Sequence, residues 1–234
     1  MSAAAIVPCH SETLEGERKA AFERLRAELA AKPSFVPVEA LCSSAIPELD
    51  RLLGGGFPAG IVATLEGETG GWSLAAGLVA QFTRRGLVAI LDDGSLYPPA
   101  LAEAGASLER VLVVPARKAR AMARAADILL RSHICRLVLM PAVALRDAVW
   151  ERLAKLAHRS GALLIVVARC AGSALSAVAG VRLHCTLERA LVHGRRGLWG
   201  IVGGFELRVG VRKHKHMAAG ATARVRVEHD AALR

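Results

Sequence analysis

The sequence predicts an α/β fold: a mainly parallel, twisted sheet with helices on both faces and an antiparallel extension near the carboxyl end. Two observations lead to this prediction. Between residues 61 and 168, short apolar segments alternate with longer amphipathic ones, which is typical of parallel strands joined by crossover helices. After residue 180, three β-like segments follow one another with no long helix between them, and this favours antiparallel pairing.

Each element is assigned from its periodicity and from the turn residues that bound it. Buried strands are predicted at 61–65, 87–91, 111–114, 137–140 and 163–168, and the later β-like segments at 181–187, 205–211 and 223–227. Helices are predicted at 44–53, 72–85, 99–104, 118–131 and 145–159. Three consecutive glycines, Gly54, Gly55 and Gly56, end the first of these helices, since glycine is a poor helix former.

One core domain is expected at 38–228, followed by a short tail at 229–234. Residues 1–37 are interpreted as a helix over 12–31 and a linker that contains Pro33 and Pro37. The apolar residues of this helix fall near helical spacing: Leu14, Phe22, Leu25 and Leu29. The helix either packs on its own domain or docks on a neighbouring subunit or partner protein.

Composition narrows the class of partner and the compartment. The chain has 31 lysines and arginines against 21 acidic residues, a net charge of +10, which indicates an acidic partner and nucleic acid first. Five widely spaced cysteines without a CxxC motif favour neither a disulfide framework nor a zinc site. We expect a cytoplasmic protein with no membrane segment, because neither a signal peptide nor a long apolar run is visible.

The segment "LEGETGGWSLA" stands where a nucleotide-binding protein carries its phosphate loop, between a strand and a helix. Gly70, Gly71 and Ser73 keep the order of the G-x-x-x-x-G-K-[ST] motif, but Trp72 occupies the lysine position. The first glycine is replaced by Glu66 or, in a shortened loop, is Gly67. Losing the lysine costs about 1.5 to 3 kcal/mol of phosphate binding and removes charge stabilisation in the transition state.

The second half of a nucleotide site is also altered. The apolar strand of "RLVLMPAVAL" ends in Pro141, where an aspartate would anchor the water bound to magnesium. Asp92 and Asp93 end another strand, and we interpret them as turn or helix-capping carboxylates. The sequence therefore predicts a protein that is not an ATPase and binds no cofactor or metal ion. A glycine turn between strand and helix, moreover, needs no ligand.

Several segments in order carry a resemblance to a known family. They are "LDRLLGGGFPAGIVATLEG", "GLVAILDDGSLYPPALAEAGASLERVLVV", the strand into Pro141, "LLIVVARCA", "VRLHCTLERA" and "FELRVGVRKHKHMAAGATARVRV". Together, over about residues 38–227, they resemble the core of RecA. Within that superfamily the chain is similar to the ImuA proteins, the RecA-like members of bacterial mutagenic repair cassettes.

The resemblance implies roles for individual positions. Gly71 and Ser73 belong to the remnant of the phosphate loop, and Asp93 lies at or next to the position of the catalytic glutamate. Arg169 or Cys170 lies near the polar residue that senses the γ-phosphate. Lys213 and Lys215 match the lysine pair that a RecA protomer extends toward its neighbour's nucleotide. The short stretch between residues 168 and 181 leaves little room for the long DNA-binding loop of RecA.

The same resemblance implies an adaptor in DNA repair that acts during the SOS response to DNA damage, in mutagenic translesion synthesis. Its partners would be RecA, the inactive Y-family polymerase homologue of the ImuB type and, indirectly, an error-prone C-family DNA polymerase. One alternative is a DNA-stimulated ATPase or recombination mediator in which Lys213 or Lys215 replaces the missing lysine. Another is a DNA-binding module that recognises phosphates without protein partners.

Two groups of basic residues are candidates for weak DNA binding through phosphate contacts. They are Arg117 and Lys118, and the carboxyl-terminal residues Arg195, Arg196, Arg212, Arg224 and Arg226. The alternative is a solvated helix face and an edge strand protected by charge. His214 and His216 flank the lysines, but without a third ligand they do not predict a metal site.

Overall fold

A computed structural model describes residues 41–193 and 201–228, all of which belong to the unit Val36–Arg234. The predicted N-terminal helix with Leu14, Phe22, Leu25 and Leu29 lies outside these residues. The basic residues Arg195 and Arg196 and the tail at 229–234 also lie outside them. In the described ranges, no helix combines the length and apolar character needed to span a membrane.

Two sheets form in the described residues. Strands β1 (Leu41–Cys42) and β2 (Phe57–Pro58) pair antiparallel in a small sheet of their own. The main sheet consists of β3 (Val62–Glu66), β4 (Leu87–Asp92), β5 (Val111–Pro115), β6 (Cys135–Pro141), β7 (Leu163–Ala168), β8 (Val181–His193), β9 (Ile201–His214) and β10 (Thr222–Glu228).

The order of strands in the main sheet is β5-β4-β6-β7-β3-β8-β9-β10. From β5 to β8 every neighbouring pair is parallel, whereas β9 and β10 are added antiparallel. The predicted architecture, a mainly parallel sheet with an antiparallel extension, is therefore confirmed. Strand β3 lies between β7 and β8, so the first strand of the crossover series ends up inside the sheet.

Helices cover both faces of this sheet. They are α1 (Pro47–Leu52), α2 (Gly71–Thr83), α3 (Pro98–Glu103), α4 (Ala119–Ser132), α5 (Asp147–Ser160) and α6 (Ser173–Val178), with a 3-10 turn at Leu108–Arg110. Helix α6 is not predicted from the sequence, because its six residues contain one buried leucine and therefore show no amphipathic repeat. The other helices agree with the prediction to within about three residues, the usual uncertainty of helix ends.

Side chains that alternate along the strands pack into two separate hydrophobic clusters, one on each face of the sheet. Helix α2 buries Leu74 and Leu78 on one face of the sheet, against a cluster that includes Leu65 of β3. Helices α4 and α5 bury Met122 and Trp150 on the opposite face, in a second cluster. Because successive side chains of a strand point to opposite faces, the helix after the phosphate loop and the α4–α5 pair lie on different sides of the molecule.

Candidate functional site at the phosphate loop

The loop from Glu66 to Gly71 joins β3 to α2 at the carboxyl edge of the parallel strands, where open α/β sheets bind ligands. Gly67 has φ 136° and Gly70 has φ 85°, conformations that L residues with side chains rarely adopt. A Cβ atom on Gly67 would lie 2.1 Å from the carbonyl oxygen of Cys185 in β8. The loop therefore needs glycine at position 67 for its approach to β8, with or without a ligand.

Further contacts hold this loop to its neighbouring strands. The N–H of Gly67 donates to the carbonyls of Ala168 and Arg169 at the end of β7, at 3.1 Å each. The N–H of Leu187 in β8 donates to the Thr69 hydroxyl at 3.2 Å. The loop is thus attached to β7 on one side and β8 on the other. The glycine at position 67 is needed for this packing.

Trp72 is the second residue of α2 and is 44% exposed. Gly71 precedes it and is buried, with the Cβ position 3.3 Å from Val167, while Ser73 is half-buried. The start of the helix therefore keeps the glycine and hydroxyl positions of a phosphate loop. At the lysine position, however, it presents an indole ring, which carries no charge to place against a phosphate.

Glu66, one of the two positions that could correspond to the first glycine of the motif, makes a buried ion pair. Its side chain is 3% exposed, and its two carboxylate oxygens accept hydrogen bonds from Arg182 Nε at 2.7 Å and Nη2 at 2.9 Å. The hydroxyl of Thr64 donates to Oε1 at 2.7 Å. Burial by itself would raise the pKa of Glu66, but these hydrogen bonds and the arginine charge outweigh it and lower the pKa. This position therefore carries an ionised, fully engaged carboxylate.

Sequence analysis noted the substitution at Glu66 but did not identify Arg182 or Thr64 as its partners. One feature of the sequence does indicate a polar contact at this position. Thr64 and Glu66 interrupt an otherwise apolar strand at a spacing of two residues, so their side chains lie on the same face. Strand β8 repeats the pattern, with Arg182 between two buried residues, and Thr64 stands opposite Arg182 in the β3–β8 register.

A second ion pair stands at the outer surface of the loop. Glu68 and Arg169 form a hydrogen-bonded salt bridge in which both side chains are largely exposed. The hydrogen bond and charge of Arg169 lower the pKa of Glu68. Arg169, which the resemblance places near the γ-phosphate sensor, is thus engaged by a carboxylate of the loop, and the adjacent Cys170 is exposed. A bound phosphate would have to compete with Glu68 for this arginine.

The other positions that the sequence associates with a nucleotide site lie at the ends of β4 and β6. Asp92 Oδ1 accepts the N–H groups of Gly94 and Leu96 at 2.8 and 2.9 Å. Asp93 Oδ1 accepts the N–H and the hydroxyl of Ser95. Both aspartates are turn carboxylates, as the sequence analysis interpreted them. Pro141 ends β6, so the end of this strand offers no side-chain oxygen to a metal ion.

The two lysines that the resemblance matches to the RecA interface pair differ in their surroundings. Lys213 Nζ donates to the carbonyls of Ser176 and Ala177 at 2.9 and 3.0 Å, at the carboxyl end of α6. A cation is favourable there because helix carbonyls are unpaired at that end. Lys215 is exposed, and within 41–193 and 201–228 it makes no ion pair. In this conformation Lys213 therefore makes its hydrogen bonds within its own chain.

The histidines that flank these lysines lie close to each other. Their ring centroids are 6.3 Å apart, and the N–H of His216 donates to Nδ1 of His214 at 3.2 Å. Burial, followed by the charge of His216, lowers the pKa of His214. His214 is therefore a neutral imidazole at neutral pH, with Nδ1 in use as an acceptor.

The two predicted basic groups do not form one surface. Arg117 and Lys118 are exposed and follow β5, the strand at one edge of the sheet, whereas Arg224 and Arg226 lie on β10 at the other edge. Arg224 pairs with Glu188 at 3.0 Å and Arg226 with Glu206 at 3.5 Å. Part of the positive charge on β10 is thus neutralised within the sheet.

Glu206 is the centre of this array of charges. It is 7% exposed and accepts a hydrogen bond from Arg189 at 2.9 Å. The Arg189 hydrogen bond and the surrounding arginine charges lower the pKa of Glu206, against the opposite effect of burial. Arg212 is exposed and has no ion pair within the described ranges, so its charge is uncompensated there, unlike the charges of Arg224 and Arg226.

Comparisons with known proteins identify the fold and the family. The chain is similar in structure to the RadB recombinase, with a TM-score of 0.61 at 19% sequence identity, covering 78% of this chain and 94% of the RadB chain. At this identity the similarity establishes a RecA-like fold and not an activity. No curated protein matches the chain in sequence. The profile of the MT3502 N-terminal domain family matches residues 50–172, just over half of the 234 residues. The chain belongs to the MT3502 N-terminal domain family.

Proposed function

We propose that this chain is a RecA-like adaptor without ATPase activity, which acts in DNA-damage-induced translesion synthesis as the ImuA proteins do. The observation that carries the proposal is the exposed Trp72 at the lysine position of a phosphate loop whose glycines are used in packing. The fold is retained, while the charges that hold and transfer a phosphoryl group are replaced.

The carboxylates around the loop support the loss of nucleotide chemistry. Glu66 is ionised and paired with Arg182, and Glu68 is paired with Arg169. The two arginines beside the loop, Arg182 and Arg169, thus already have carboxylate partners, and Trp72 brings no replacement charge. A triphosphate at this edge would face two carboxylates and no free cation of the loop, which is unfavourable in a site of reduced dielectric.

The partners follow from the resemblance and not from the loop itself. A protein that keeps the RecA-like fold without hydrolysis retains surfaces for pairing with RecA protomers, and in the mutagenic cassettes it works with an ImuB-type polymerase homologue. The error-prone C-family polymerase is reached through that homologue. We place the protein in the cytoplasm, near the nucleoid, with weak DNA affinity contributed by Arg117, Lys118 and Arg212.

Nucleotide chemistry is tested by titration with magnesium ATP in the presence of single-stranded DNA. Tryptophan emission and phosphate release are followed in the same sample, with a Trp72→Phe variant to identify the contribution of the loop. We expect neither an emission change that depends on Trp72 nor phosphate release above the blank. Saturable binding with turnover would contradict the proposal and favour the DNA-stimulated ATPase.

Adaptor function is tested by size-exclusion chromatography of the protein with RecA, and separately with an ImuB-type protein, with and without single-stranded DNA and an ATP analogue. We expect co-migration with at least one of them. A Phe22→Ala/Leu25→Ala variant tests the predicted docking helix, and the complex should weaken. Separate elution under every condition would rule out the adaptor.

A further inference from the structure

Helices α4 and α5 pack side by side on the face of the sheet opposite to α2, and a surface depression of about 380 Å³ lies between their outer sides. This volume is at the small end of the range of ligand pockets, about 300 to 1,000 Å³. The depression is remote in sequence from the phosphate loop and is built on the other core. What it binds is thus independent of the proposed function.

Four cations line the depression: Arg131 of α4 and Arg152, Lys155 and Arg159 of α5. The three residues of α5 are spaced three and four apart, which places them along one side of the helix. Glu151 is the carboxylate in the lining. The lining therefore has a net positive charge, with four cations against one carboxylate.

Asp127 joins two of these cations across the helix pair. Its Oδ1 atom lies 2.6 Å from Arg152 Nε, and its Oδ2 atom lies 3.0 Å from Arg131 Nε. Arg152 donates its hydrogen bond to Asp127 from Nε, and among the described residues its terminal N–H groups and those of Arg131 make no hydrogen bond. One carboxylate thus positions two guanidinium groups before any ligand arrives, which reduces the entropy lost on binding.

The other two cations have no such compensation. Lys155 and Arg159 are exposed, and neither makes an ion pair in the part of the chain that the structure describes. Leu156 and Ala148 add apolar surface to the lining. A ligand that fits presents carboxylates to the arginines and an apolar side chain to Leu156.

We propose that this groove binds an acidic peptide segment of a partner protein, with acidic side chains on Arg152 and Arg159 and an apolar side chain on Leu156. A peptide fits the dimensions: residues 148–159 extend over about 16 Å of helix, which corresponds to about five residues of extended chain. Nucleic acid fits less well, because the lining contains no aromatic ring on which a base could stack, whereas Leu156 offers apolar surface that an apolar side chain of a peptide can cover.

The test is fluorescence anisotropy with a fluorescein-labelled peptide of alternating glutamate and leucine, about eight residues long. A matched peptide carries lysine instead of glutamate, and a labelled single-stranded oligonucleotide is titrated separately. In the wild-type protein we expect binding of the acidic peptide that weakens with salt, and no binding of the basic peptide. A Lys155→Glu/Arg159→Glu variant should lose at least about tenfold in affinity for the acidic peptide.

The matched control is Arg84→Glu/Arg120→Glu, which makes the same change of charge at two exposed arginines outside the groove. It should keep the peptide affinity within about twofold. A Lys155→Gln/Arg159→Gln variant, with its melting temperature compared with wild type, guards against misfolding and should also bind weakly. Absence of peptide binding by the wild type, or equal losses in groove and control variants, would overturn the proposal. Loss of oligonucleotide affinity alone in the groove variant would assign the site to nucleic acid instead.

Discussion

Glu66 and Arg182 meet across the β3–β8 junction in a two-point ion pair, although 116 positions separate them in the chain. Such bidentate pairing is the strongest form of carboxylate recognition by arginine. The pair occupies the end of β3, immediately before the glycine loop, and it links β3 to β8, the last strand of the parallel part of the sheet. It therefore joins the geometry of the altered phosphate loop to the stability of the sheet.

Glu66→Gln should destabilise the protein by about 2 to 3 kcal/mol, because it leaves the guanidinium of Arg182 largely buried and without a counter-charge. Since the pKa of Glu66 is lowered in the folded state, its stabilisation is present above the unfolded pKa of about 4.3 and is lost as the pH falls through the folded value. Urea denaturation of the variant should therefore depend less on pH below about 4.5.

Two controls separate the ion pair from general effects of mutation. Glu48→Gln removes an exposed carboxylate 3.6 Å from Arg51 and should change stability by less than about 0.5 kcal/mol. A Glu66→Leu/Arg182→Leu variant should be more stable than Arg182→Leu alone, since no unpaired charge remains. Equal stabilities of Glu66→Gln and Glu48→Gln would contradict this prediction.

Gly67→Ala should destabilise the loop by about 2 to 4 kcal/mol, because it combines a strained φ with a clash against backbone. The new Cβ atom would lie 2.1 Å from the Cys185 carbonyl oxygen. Gly172→Ala is the matched control, since a Cβ there meets nothing within 4 Å, and its cost should stay near or below about 1 kcal/mol. The measurement is thermal or urea unfolding, and similar losses at both positions would show that the loop can move away from β8.

Trp72→Lys restores the lysine of the motif but should not restore ATP hydrolysis. Pro141 still offers no oxygen to a magnesium site, and Asp92 and Asp93 remain engaged in their turn. The variant should fold, because Trp72 is 44% exposed. Phosphate release is measured with single-stranded DNA present and RecA as the positive control. DNA-dependent turnover by the variant would contradict this prediction, because it would show that the lysine charge alone restores hydrolysis.

Lys213→Met should lower stability by about 1 kcal/mol, since two hydrogen bonds from Nζ to the end of α6 are lost. Lys215→Met changes the same residue type two positions away, at an exposed side chain, and should leave stability unchanged within about 0.5 kcal/mol. Chemical denaturation compares the two. If both variants are as stable as wild type but form a weaker complex with RecA, Lys213 acts across an interface as the resemblance implies.

Thiol reactivity should distinguish the cysteines sharply. Burial raises the pKa of Cys135 to about 12, and burial together with the charge of Glu66 raises that of Cys185 to about 12, so both remain protonated thiols at pH 8. In a Cys9→Ser background, an aromatic disulfide reagent should modify exposed Cys170 quickly. Cys135 and Cys185 should react only after denaturation. Fast reaction of either in the native protein would mean that the sheet opens readily.

The chain's local patterns were sufficient to predict most of the elements, and β7 begins and ends at the predicted residues, 163–168. They also placed Trp72 at the start of a helix after the glycine loop and Pro141 at the end of a strand, as the structure has them. These features are local, because helix and strand periodicity and a loop motif are each contained within a few consecutive residues.

Only the order of strands and helices in space decided three other features. These are the partners of Glu66, the separation of the basic residues onto opposite edges, and the groove between α4 and α5. The insertion of β3 between β7 and β8 brings residues 66 and 182 together, and the packing of α4 against α5 brings Asp127 to Arg152. Sequence spacing does not encode such contacts, since they arise from pairing and packing between segments far apart in the chain.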